Sequence, residues 1–292
     1  MSKTDNSEKN KLKNFLKGKN IEISVERYLI DAMSHMALGL FASLLVGTIL
    51  NTMGNWLGIT FLTETIWPVA KEMTGPAIGV AVAYGLKAPS FVLFASTITG
   101  AAGDALGGPV GAFIAALIGA EFGKLVSGET KIDLIVTPTV TIVTGVFIGS
   151  LIGPGIARFM TGLGQMIMYA TTLQPFWMGI LVSVLVGMAL TLPISSAAIC
   201  MMLGLEGLAA GAATAGCCAQ MIGFAVMSFK ENGWGGLMAQ GIGTSMLQIP
   251  NIVRNWKIWI PPTLAGAITG PIATLLFKME NTPMGAGMGT AG

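Results

Sequence analysis

Two acids stand isolated in long apolar stretches of this sequence: Asp104 in SFVLFASTITGAAGDALGG and Glu206 in SSAAICMMLGLEGLAAG. A carboxylate in such a setting has two uses. It hydrogen-bonds the hydroxyl or amine groups of a polar solute, or it exchanges a proton. Each acid follows the same grammar, a proline and then serine: Pro89 and Ser90 precede Asp104, and Pro193, Ser195 and Ser196 precede Glu206. The prolines break a helix because they lack the amide hydrogen that its ladder needs. The serine hydroxyls, together with Gln220, would add neutral hydrogen bonds. The candidate solute-binding residues are therefore Glu206, Asp104, Ser195, Ser196, Ser90 and Gln220, with Pro89 and Pro193 as helix breaks.

His35 and Glu121 are secondary candidates, for a proton relay. His35 is the only histidine and follows Asp31 by one helical turn, so a helix sets the two on one face. Glu121 precedes Lys124 by three residues, a spacing that equally describes a neutralised helix end. Cys200, Cys217 and Cys218 lie in apolar segments without metal-ligand spacing, which reads as packing. No catalytic residue, metal or cofactor is expected.

The elements that must position these groups are membrane helices. Of 292 residues, 53% are hydrophobic and 10% charged, against about 25% charged in soluble domains. The expected fold is all-α, a polytopic membrane protein of about eight to ten transmembrane helices, since each crossing takes roughly 17–25 residues. Its N-terminal segment, 1–33, is lysine-rich and closes on an amphipathic stretch, which places the N-terminus in the cytoplasm. A first transmembrane half is expected over 34–157, a connector of open topology over 158–175, a second half over 176–278 and a Gly/Met-rich tail over 279–292. Nothing supports binding to nucleic acid, because the only basic cluster is N-terminal.

The halves read as two internal repeats, each containing a broken or re-entrant helical hairpin. Leu86 matches Leu190 and Pro89 matches Pro193 at one constant offset, and KIDLIVTPTVTIVTG (131–145) then resembles KIWIPPTLAGAITG (257–270). Residues 233–256 stand as an insertion in the second repeat. Within it, 233–249 carries five glycines and only moderate apolarity, a poor lipid-facing helix and a plausible re-entrant loop. Duplicated halves with sites at broken helices are the usual plan of secondary transporters.

Three stretches also carry a family resemblance: LPISSAAI (192–199), GGPVGAFIAALIGAEFGKLVSGETKIDLIVTP (107–138) and TPMGAGMGTAG (282–292). They resemble the small stand-alone IIC-type membrane proteins of the phosphoenolpyruvate-dependent phosphotransferase system, the group that includes a regulator of a clostridial cytolysin. Sugar-translocating members place a glutamate of a Gly-x-x-Glu segment against sugar hydroxyls. GLEG (204–207) matches it loosely through Glu206, and the proline that often follows is missing.

The resemblance implies a transporter for a small polar solute, working in the lipid bilayer without phosphorylation domains of its own and binding between the repeats. Two alternatives are a true IIC sugar permease working with separate IIA and IIB proteins, and a membrane sensor that binds a ligand without net transport. The resemblance also implies a homo-oligomer, a dimer. Any phosphoryl chemistry would lie on partner subunits, so the chain itself is not expected to be an enzyme.

Overall fold

A computed structural model describes residues 14–24, 26–194 and 196–291. Among these the chain is helical, and one isolated antiparallel bridge joins Gly207 to Asn281. The backbone divides into two compact units. Unit 1 comprises residues up to Gly39 and Thr74–Gly153; unit 2 comprises Leu40–Met73 and the chain from Pro154.

In unit 1, helix α1 begins at Glu26 (its full span is Glu26–Leu57, ending in unit 2). Two short pieces of unit 2 come next in sequence, a π-helical turn at Phe61–Ile66 and α2 at Trp67–Glu72. Helix α3 (Thr74–Gly85) then packs along α4 (Ser90–Val126). Their contact is backbone on backbone. A Cβ added at Gly79 would lie 2.1 Å from the Ser96 carbonyl oxygen, and one at Gly100 would lie 2.3 Å from that of Gly75. Small residues bring helices this close where hydrophobic burial cannot drive them together.

Helix α4 breaks in its middle. Gly107 (φ −150°, ψ 19°) and Gly108 (φ 61°, ψ −156°) leave helical geometry, the second in a region open only to glycine, and Pro109 follows without an amide hydrogen. The turn is tight enough that Gly103 and Gly111 touch, a Cβ on the former meeting the carbonyl oxygen of the latter at 2.3 Å. Pro89 lies between α3 and α4, at the N-cap where α4 starts. The second arm of α4 lies against α5 (Asp133–Thr171), where Gly119 faces the Thr141 carbonyl and Gly145 faces that of Ala115. The threonines of α5 bond back into their own helix, Thr141 to the Thr137 carbonyl at 2.8 Å and Thr144 to that of Val140 at 2.7 Å.

Unit 2 receives α5 from Pro154 onward and continues with α6 (Pro175–Thr191), the short α7 (Ser196–Met202), α8 (Gly207–Met227), α9 (Phe229–Met238), α10 (Ile249–Arg254), α11 (Trp256–Leu276) and the small α12 (Pro283–Ala286). Helices α6, α8 and α11 form its core, again through glycine. A Cβ on Gly216 would meet the Ser183 carbonyl oxygen at 1.9 Å and one on Gly270 would meet that of Gly179 at 2.1 Å. The Ser183 hydroxyl donates to the Gly266 carbonyl at 2.7 Å, which joins α6 to α11.

Among the described residues, five helices are long and apolar enough to cross a membrane: Glu26–Leu57, Ser90–Val126, Asp133–Thr171, Gly207–Met227 and Trp256–Leu276. Pro175–Thr191 is a shorter apolar helix. The sequence reading counts about eight to ten. The difference arises because helical continuity depends on each bond of the ladder, not on mean apolarity. Residues 158–171 continue α5 without a break, while the stretch around Met73 and the residues between α6 and α8 are interrupted.

The Gly/Met-rich tail is part of unit 2's packing. The Ser196 hydroxyl donates to the Gly287 carbonyl at 2.7 Å, and Gly289 sits where a Cβ would meet Met221 Sδ at 2.5 Å and Cys217 Cβ at 3.1 Å. Thr290 donates to the Gly241 carbonyl. Ser196→Ala should therefore weaken the seating of the tail by about 1 kcal/mol. Hydrogen exchange at the amides of 284–289 checks this: faster exchange than in the unmodified protein is expected, and unchanged protection would contradict it.

Candidate functional site

The predicted residues divide between the units. Unit 1 holds Asp104, Ser90, Pro89, His35 and Glu121; unit 2 holds Glu206, Ser196, Pro193 and Gln220. Ser195 lies outside the described residues.

In unit 1, Asp104 sits just before the break in α4 and is half-buried against α3, where a Cβ on Gly75 would come within 2.6 Å of its own Cβ. Ser90 is exposed in the first turn of α4. His35 packs on Tyr84, ring centroids 5.8 Å apart, and its Nδ1 is 2.8 Å from the Asp31 backbone oxygen. The partner of the imidazole is thus the Asp31 backbone, not its carboxylate. Glu121 is the counter-ion of Lys124, whose Nζ is 2.9 Å from Glu121 Oε1. That pairing favours the neutralising role over a relay. Lys124 is 1% exposed and also donates to the carbonyls of Asn20 (3.0 Å) and Leu86 (3.1 Å), and the Arg27 guanidinium reaches the same Leu86 oxygen at 2.8 Å. Lys19 pairs with Glu129 nearby in sequence to this end of α4. These bonds tie the N-terminal segment to the C-terminal end of α4.

In unit 2, Glu206 is exposed and extended (φ −130°, ψ 173°) at the N-cap of α8, and its side chain caps nothing. Gly204 and Gly207 flank it in left-handed conformations. Pro193 occupies the non-helical stretch between α6 and α7. Ser196 is committed to the tail.

Gln220 is the predicted residue around which most polar groups gather. It is 1% exposed; its Oε1 accepts from the Thr191 hydroxyl at 3.3 Å and its Nε2 donates to the Thr263 hydroxyl at 3.0 Å. Thr191 and Ser245 share a hydrogen bond of 2.8 Å. The node joins α6, α8, α11 and the residues before α10. A second chain runs through that same insertion: Asn251 Nδ2 donates to Gln248 Oε1 at 2.9 Å, Gln248 Nε2 to Gln240 Oε1 at 2.8 Å, and Gln240 Nε2 to the Ser228 hydroxyl at 2.8 Å.

The sequence reading misses Thr191, Thr263, Ser245, Gln240, Gln248 and Asn251. A signal was present, since three amides recur in the otherwise apolar and glycine-rich AQGIGTSMLQIPN. Both networks consist wholly of hydroxyls and amides. Such groups offer donors and acceptors without charge, a set that matches neutral polar molecules. Among the described residues no group of three His, Cys, Asp or Glu side chains is placed to hold a metal ion. Cys200 and Cys217 are buried, and all three cysteines are free thiols.

Large apolar side chains face outward along the long helices, Leu134, Phe147 and Leu151 of α5 among them, while hydroxyls and amides are buried within. Soluble proteins do the reverse on their surfaces, so this distribution defines a multi-pass membrane protein. The family model of the phosphotransferase system EIIC matches residues 30–292, and the chain belongs to that family. Comparison with curated proteins and with solved structures gives no match. The family implies a sugar-permease type of transporter and a sugar-type substrate, with IIA and IIB proteins as the associated partner class.

Proposed function

We propose that this chain is a IIC-like permease that moves a small polar solute across a bacterial cell membrane and does no phosphoryl chemistry itself. The observation that carries the reading is the buried, uncharged node of Gln220, Thr191, Ser245 and Thr263 inside a chain of this family. Buried polar groups are costly in a membrane protein and are kept where they line a path or a site. The lysine-rich start supports a cytoplasmic N-terminus. The matching motif order of 86–145 and 190–270 supports two repeats with broken hairpins, and the family resemblance supports a dimer.

Of the two candidate acids, Asp104 is the better placed to couple transport to protons, being half-buried at a helix break where Glu206 is exposed. Sealed proteoliposomes without phosphotransferase components, given labelled sugars, polyols and amines, test the reading. Accumulation that follows an imposed proton gradient is expected, with Asp104→Asn lowering it about tenfold, equivalent to the loss of one strong interaction, and Glu206→Gln lowering it less. Gradient-driven accumulation in Asp104→Asn equal to that of the unmodified protein removes Asp104 from the mechanism. The second reading is a IIC component that hands its solute to IIA and IIB, and family membership favours it. Uptake that appears only when cytoplasmic extract and phosphoenolpyruvate are supplied would establish that alternative.

A further inference from the structure

Helix α9 and the segment leading into α10 border an open cavity of about 390 Å³ lined by Asn232, Gly235, Gly236, Gln240, Gln248 and Asn251. Its remaining lining, Ala239 and Leu247, is apolar, so no ionisable side chain contributes. The volume falls in the range of small-molecule sites, about 300–1,000 Å³.

Four amides converge here, and they are pre-organised to different degrees. Gln240 and Gln248 are buried and hold one another in the chain from Asn251 to Ser228. Each has a second N–H and a second carbonyl lone pair to offer. Asn251 uses only its Nδ2 in that chain, leaving Oδ1 as an acceptor. Asn232 is exposed.

Two glycines shape the wall. Gly233 (φ 58°, ψ −156°) turns the backbone beside Asn232, and Gly236 allows the close passage of that side chain, since a Cβ there would lie 2.2 Å from Asn232 Cβ. Gly235 by contrast borders open space, with nothing within 4 Å of an added Cβ.

We infer that this cavity binds a neutral polyhydroxyl solute, with Asn232 and Asn251 as its open hydrogen-bonding groups and Gln240 and Gln248 as its fixed floor. A hydroxyl is donor and acceptor at once, as each amide is, so every solute hydroxyl finds a partner in either sense. An anion would meet no cation in the lining and a cation no carboxylate, and each would lose hydration without compensation. The inference rests on the permease reading for its physiological meaning, but its chemistry is testable without transport.

The test uses the full chain in detergent with radiolabelled D-glucose, D-mannitol and ribitol as probes, and glucose 6-phosphate and glucosamine as charged controls, in equilibrium dialysis. At least one neutral probe should bind more tightly than either charged control. Gly235→Leu, which fills the open space, and Asn232→Ala, which removes an exposed amide, should each weaken binding about tenfold or more, the loss of roughly one good hydrogen bond or its steric equivalent. Their melting temperatures should match the unmodified protein; if Gly235→Leu misfolds, Asn232→Ala decides alone. Undiminished binding in Asn232→Ala, preference for a charged control, or no binding of any neutral probe overturns the inference. Binding that behaves as expected in a protein that transports nothing into liposomes would leave the cavity assigned and refute the permease reading instead.

Discussion

Gly216→Val is expected to prevent unit 2 from assembling. A Cβ at this position falls 1.9 Å from the Ser183 carbonyl oxygen and 2.5 Å from its carbonyl carbon. Both obstacles are backbone, so no rotamer change relieves them. Gly187 presses on the same point from the other helix, its own Cβ position lying 2.7 Å from the Gly216 oxygen. Forcing extra methylenes into ordinary cores costs about 1–3 kcal/mol. Here α6 and α8 must separate, which also strains the Ser183–Gly266 hydrogen bond that anchors α11. A loss of about 4 kcal/mol or more is expected, in the exceptional range for a single substitution. Gly155→Val on α5 is the control, because nothing lies within 4 Å of its Cβ position. Thermal unfolding and gel filtration of the two variants in one detergent separate the cases. Equal melting temperatures for Gly216→Val and Gly155→Val would mean that this helix contact does not hold the unit together.

Lys124→Met should give the second-largest effect, in unit 1. The ammonium is almost wholly buried and has three oxygen partners: Glu121 Oε1 and the carbonyls of Asn20 and Leu86. Methionine matches the length of the stem but leaves the largely buried Glu121 without its ion-pair partner. Breaking one side of such a pair typically costs 3–5 kcal/mol, whereas replacing both sides by apolar groups is often close to neutral. The double variant Lys124→Met/Glu121→Leu is therefore expected to recover much of the loss, and a double-mutant cycle measures the coupling. Limited proteolysis gives an independent readout, since without the Asn20 contact residues 14–24 should become cleavable. If the single and double variants unfold at the same denaturant concentration, the pair contributes no coupling and its place in the fold is incidental.

Several local features were legible in the sequence because they depend on neighbours a few positions away. The break in α4 falls at Gly107 and Gly108, in the glycine-rich stretch that follows Asp104. The interruption at Pro193 follows an equally local rule, the missing amide hydrogen. The Glu121–Lys124 pair was readable from its spacing. Its burial was not, because Asn20 and Leu86, which cover the ammonium, lie far away in sequence. His35 shows the opposite error. Spacing put it beside Asp31, but one face of a helix also presents the backbone oxygen of the preceding turn, and that is where the imidazole went.

By itself the sequence determined that this is an all-helical membrane protein of the phosphotransferase EIIC family, with acids and breaks at recurring places. Apolarity, glycine and proline act through the bilayer and the local backbone, and both can be read one stretch at a time. Only the tertiary structure decided which polar groups matter together. Gln220 gains Thr191 and Thr263 from two other helices, and Gln240 gains Gln248 after the chain turns back on itself. A buried amide is tolerable only when its partners arrive, and those partners are supplied by packing rather than by sequence proximity.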